Sequence, residues 1–117
     1  MNYDKLEKII NESFEIKEKV GPKSDKKLIK AINETINLVD GGKIRVANKI
    51  NGNWIVNQWI KKAILLSFRI NKMEMMKGPY TTWYDKVPGK TVKWKEKDWK
   101  NAAYRHVPNG VARKAAY

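Results

Sequence analysis

An α+β fold, mainly helical, is what this 117-residue sequence predicts. Apolar residues recur at three- and four-residue spacing in separate stretches before residue 40 and again after residue 57. Asn51-Gly52 divides two short runs rich in β-branched residues. After Asn71 the periodicity fades, and aromatics, Pro, Gly and Lys take over. The expected arrangement is an antiparallel helix pair, a β-hairpin, a central helix, a long ordered loop and a short helix.

The first helix is expected over residues 3–19, where Leu6, Ile9, Ile10, Ser13 and Phe14 share a face and Gly21-Pro22 stops the run. Ser24 is the expected N-cap of the second helix, with Asp25 placed to favour the positive helix start. That helix extends from Asp25 to Val39 on a stripe of Leu28, Ile32, Ile36 and Val39. It ends at Gly41-Gly42, one of the two in the left-handed conformation. The short connection between the helices implies an antiparallel pair.

Strands are expected over Lys43–Ile50 and Asn53–Val56, because Asn-Gly accepts the positive φ angles of a tight two-residue turn. Ile44, Val46 and Ile50 alternate with Arg45, Ala47 and Lys49, so one face of the ribbon is expected to be buried against the central helix, with Trp54 paired across from Lys49. That helix, Asn57–Ile70, carries Trp59, Ile60, Ala63, Ile64, Leu66, Phe68 and Ile70 on an arc about half its circumference, wide enough to need neighbours on more than one side. Gln58, Lys61, Lys62 and Arg69 form the remaining basic wedge. A short helix is expected over Glu96–Tyr104 with Trp99, Ala102 and Ala103 inward. Val111–Tyr117 is expected to be extended and in want of a strand beside it.

Composition narrows the function classes. The length suits one domain with a modest core. There is no Cys and a single His, His106, which excludes disulfides and thiolate metal sites and argues against a His-based zinc site or a Ser-His-Asp triad. Asp4, Glu7, Glu12 and Glu15 interrupt the first twenty residues, unlike a signal peptide, and no stretch has the length of a membrane span. A soluble, cytoplasmic protein with no membrane partner is the expectation. The net charge of +13 suggests anionic partners. Arg stands only at Arg45, Arg69, Arg105 and Arg113, however, so the charge is carried mostly by Lys and lacks the planar fork that base and phosphate recognition favours. Trp83, Tyr84 and Trp94 interleaved with Lys suit base stacking; the reading preferred is that they pin the loop to the domain. No phosphate-cradling loop, carboxylate pair or nucleophile motif is present.

The order of landmarks is more informative: LVDGGKIRVANK from Leu38, NGNWIVNQWIKKAILLSFRIN from Asn51, WYDKVP from Trp83, YRHVP from Tyr104 and ARKAAY from Ala112. In this order the chain resembles the amino-terminal domain of the bacterial tetrahydrodipicolinate N-succinyltransferases, with the likeness weakest in the first helical pair. The resemblance implies a homotrimeric enzyme that joins succinyl-CoA to tetrahydrodipicolinate in diaminopimelate and lysine biosynthesis. It also implies a helical domain (residues 1–104) followed by the start of the connection (residues 105–117) into a left-handed β-helix of hexapeptide repeats, which holds the CoA and most catalytic groups. This sequence contains no hexapeptide coils, so the family's acidic active-site residue has no counterpart, and Ala112 and Ala115 stand where Val and Gly are expected. A truncated product, inactive alone, is the expectation, with no catalytic residue, metal or bound cofactor in this segment and succinyl-CoA as co-substrate of the full enzyme.

One site residue carries over: the Arg of R-x-V-P matches Arg105, implied to bind a substrate carboxylate through both oxygens. A structural pair with Asp98 is the alternative. His106, next along an extended segment, points the other way and is not assigned to catalysis. Lys86 and Lys90 have the charge to meet an anion but stay outside the expected site. Two readings from other classes remain: a basic nucleic-acid-binding module, and an interaction domain that docks on an intact transferase through its extended tail.

Overall fold

In the computed structural model, which describes residues 2–117, the chain builds four helices and two separate hairpins. Helices α1 (Asp4–Glu15), α2 (Lys26–Asp40) and α3 (Gln58–Ile70) pack pairwise. Ile10, Val20, Ile32, Ile36, Leu66 and Ile70 meet in their core. The stripes foreseen on α2 and α3 are the ones buried, because helical periodicity brings them to one side. Phe68, assigned to the buried arc, is exposed, while Thr35 is fully buried and its hydroxyl donates to Ala31 O at 2.9 Å.

The first helix is shorter than the expected 3–19. It ends at Glu15, and a 3-10 turn over Lys17–Lys19 follows, a tighter winding that lets Val20 reach the core. Asp25, not Ser24, caps α2, its carboxylate accepting from Lys27 N at 3.4 Å. Ser24 instead closes the Gly21–Ser24 turn, its hydroxyl accepting from Gly21 N at 2.9 Å. Gly42, at φ 68, supplies the left-handed residue after α2.

The first hairpin has the expected turn, with Asn51 at φ 48 and Gly52 at φ 82, and pairs Lys49 with Trp54. Its first strand, β1 (Ala47–Ile50), starts later than Lys43, because Lys43 N and Ile44 N are both spent on Leu38 O at the end of α2. The buried face expected of the ribbon is absent. Every residue of β2 (Asn53–Val56) is exposed, Trp54 at 70%.

The long loop expected after Asn71 contains a second hairpin, β3 (Glu74–Lys77) with β4 (Thr82–Asp85), turned by Gly78–Thr81. Gly78 lies against the Trp83 ring, where a Cβ would collide with the indole. Helix α4 (Glu96–Ala102) stops before Tyr104, at Ala103 in the left-handed conformation, so Ala103 is exposed rather than inward. The hairpins stand away from the helical core, giving a flat molecule of 41 × 40 × 22 Å.

Candidate functional site

An aspartate at the C-terminal end of a helix meets the negative end of the helix dipole and needs cations or N–H donors from elsewhere. Asp40 ends α2 and receives both. Its carboxylate accepts from Lys90 Nζ at 2.9 Å and from the backbone N–H of Ala115 at 2.8 Å, and its carbonyl accepts from Lys90 Nζ at 2.7 Å. Burial alone would raise the Asp40 pKa. The Lys90 hydrogen bond, the Ala115 N–H and the charges of Lys90 and Lys114 outweigh it and hold the carboxyl below the ordinary aspartate value.

This junction gathers the end of the chain. Lys90 N donates to Ala112 O and Lys114 N to Pro88 O, an antiparallel bridge centred on Gly89 and Arg113. Arg113 pairs with Asp85 at 2.9 Å. The Tyr117 ring covers Gly42, with Arg45 and Lys90 5.3 and 5.8 Å from its centroid. The tail, expected to want a strand beside it, is held by this single bridge to residues 88–90 and turns back at Asn109, φ 73, and Ala115, φ 79.

Arg105 follows α4 on a segment outside any helix or strand and is exposed. Among the described residues its guanidinium makes no hydrogen bond or ion pair. The alternative partner, Asp98, instead accepts from Lys95 N at 2.8 Å in the capping of α4. His106, half-buried, packs on Trp99 at 5.4 Å between centroids and on Gly110. Trp94, Trp99 and Tyr104 complete an edge-to-face cluster at 4.8–6.3 Å that fixes the base of the Arg105 segment. Trp94 thus pins the loop to α4, whereas Trp83 lies on its own hairpin and Tyr84 is 69% exposed. Lys86 donates to Phe68 O at 2.7 Å and so covers the end of α3; Lys90 belongs to the Asp40 junction. Arg105 and the Asp40 junction share no described contact. Sequence reasoning passed over Asp40 and Lys90 as partners. The available signal was an acidic residue in a last helical turn with no basic residue of its own helix nearby.

The sequence is similar to those of known proteins. Residues 5–70 match the family model described as tetrahydrodipicolinate N-succinyltransferase N-terminal. The chain is 48% identical to the 2,3,4,5-tetrahydropyridine-2,6-dicarboxylate N-succinyltransferase of Pelagibacter ubique over 115 residues, covering 96% of this chain and 42% of that protein. It is similar to the proteins of the same name from Agrobacterium fabrum, at 46% identity over 96% of this chain and 40% of the relative, and from Cereibacter sphaeroides, at 44% over 100% and 43%. The chain thus spans about two fifths of the length of the curated relatives it matches.

Proposed function

This chain belongs to the tetrahydrodipicolinate N-succinyltransferase N-terminal family, and on that premise we propose that it is the amino-terminal part of an enzyme transferring succinyl from succinyl-CoA to tetrahydrodipicolinate, in diaminopimelate and lysine biosynthesis. The observation that carries the reading is sequence identity of 48% extending over 96% of the chain, hairpins and Arg105 segment included. In the reaction an amine of the ring-opened substrate attacks the thioester carbonyl, CoA thiolate leaves, and a base takes the amine proton. The groups for that chemistry are proposed to lie in the portion of the relatives beyond the match, a β-helix assembled as a homotrimer, with residues 105–117 as the connection into it. The setting proposed is cytoplasmic. No helix of the described residues is long and apolar enough to cross a membrane.

Within this chain, Arg105 is the proposed contact to a substrate carboxylate. What supports it is a free guanidinium on a segment fixed by the Trp94–Trp99–Tyr104–His106 cluster. Arg stays protonated, so its part is to hold the dicarboxylate in place and not to move protons. Nothing favours the nucleic-acid-binding alternative.

The test is thiol release from succinyl-CoA with tetrahydrodipicolinate. The chain alone is expected to be inactive. Joined to the remaining portion of the Pelagibacter ubique relative, it is expected to turn over, and Arg105→Ala in that fusion to raise KM for the dicarboxylate about tenfold or more through loss of charge-assisted hydrogen bonds. An active isolated chain, or an Arg105→Ala fusion with unchanged KM, overturns the corresponding half of the reading.

A further inference from the structure

A cleft of about 340 Å³ opens between α2, α3, the segment after β4 and the tail, within the range of about 300–1,000 Å³ usual for ligand sites. Arg105 does not line it. Its apolar wall includes Ile36, Ile64 and Val87, and its charged lining is unbalanced. Lys72, Lys86, Arg113 and Lys114 face it against Glu74, with Asp85 paired to Arg113 at the edge. Lys86 is held on Phe68 O, a contact that covers a carbonyl at the negative end of α3 but leaves the lysine charge uncompensated. The surplus over these two carboxylates is therefore that of two cations; Asp40, whose carboxylate also feels Lys114, is already paired with Lys90.

The polar groups of the cleft have unused capacity. Among the described residues, the ammonium groups of Lys72 and Lys114 and the side-chain amides of Asn33 and Asn71 make no hydrogen bond, although Lys114 and Asn71 are half-buried. Like charges gathered in a concave surface repel one another and concentrate a positive field, and an anion relieves both. We propose that this cleft is a binding site for a small dianion, a phosphate ester or a dicarboxylate, held by Lys72 and Lys114 with Asn33 and Asn71 completing its hydrogen bonds. The Asn amides supply donors where a second layer of cations would only add repulsion, and the apolar wall limits the hydration of the bound charge. The site is independent of the family reading and of Arg105, so loss of succinyl transfer on altering Arg105 does not bear on it.

The test is amide NMR of the isotope-labelled chain titrated separately with inorganic phosphate and with succinate at fixed ionic strength. The expected result is saturable shifts at Asn33, Ser67, Asn71 and Lys114. The Kd should rise about tenfold or more in Lys72→Gln/Lys114→Gln and change less than about twofold in Lys5→Gln/Lys97→Gln, which removes the same charge elsewhere. Tighter binding of phosphate points to a phosphorylated ligand and tighter binding of succinate to a carboxylate; either supports the site. Shifts without saturation, shifts centred outside the cleft, or equal weakening in the two double variants would show diffuse attraction to a basic surface and overturn the proposal.

Discussion

Asp40 sits where the backbone of α2 presents its negative end, and its ionised form is favoured because Lys90, the Ala115 N–H and the Lys114 charge come to it from distant parts of the chain. Asp40→Ala removes the carboxylate and leaves a largely buried lysine, 15% exposed, with only the backbone carbonyl of residue 40 to accept from it. A loss of about 1–3 kcal/mol at neutral pH is expected in denaturant melts. The sign of the pH dependence follows from the lowered folded-state pKa. The carboxylate's contribution is complete above the ordinary aspartate value and disappears as pH falls through the lowered one. The stability gap between the native chain and Asp40→Ala should therefore narrow only in acid; a gap that does not depend on pH would remove the ion pair from the account. The R-x-V-P motif around Arg105 was readable in the sequence, whereas the packing of His106 on Trp99 was not. The Asp40 junction was not legible, because no local pattern joins residues 40, 90 and 115.

Elements read from periodicity came out close to their expected places, since an apolar stripe at helical spacing has only one way to be buried. Leu66, fully buried at the centre of α3, is the clearest case, and Leu66→Ala should cost about 2–5 kcal/mol in equilibrium unfolding. The turn between β1 and β2 was equally readable from Asn51-Gly52. The second hairpin was not. Met75, Met76, Trp83 and Tyr84 do not alternate cleanly with polar residues, and Gly78-Pro79 reads as easily as an irregular loop as it does as a hairpin turn. Neither ribbon packs a face on the helices, so neither gains what normally stabilises a two-stranded sheet. Hydrogen exchange should report this directly: amides of β1–β4 exchanging well before those of α2 and α3, with comparable protection counting against the arrangement.

At the scale of the whole molecule, the helices supply a core while much of the chain lies spread around it. The Cα radius of gyration is 16.0 Å, where a compact chain of 100 residues has about 13 Å. Small-angle scattering is expected to show a flattened particle near the larger figure; the smaller one would mean that the hairpins fold back onto the core. The sequence indicated how many helices to expect but not this breadth, because breadth depends on which apolar surfaces go uncovered, and Trp54, Tyr80 and Tyr84 carry no label of that kind. The partnership of Asp40 with Ala115 has a temporal consequence as well. The two are 75 positions apart, so on the ribosome α1, α2 and α3 emerge and can associate long before the tail exists to meet them. Stalled nascent chains released at residue 100 should already resist protease across the helical trio, and only those reaching Tyr117 should gain resistance around residues 86–90.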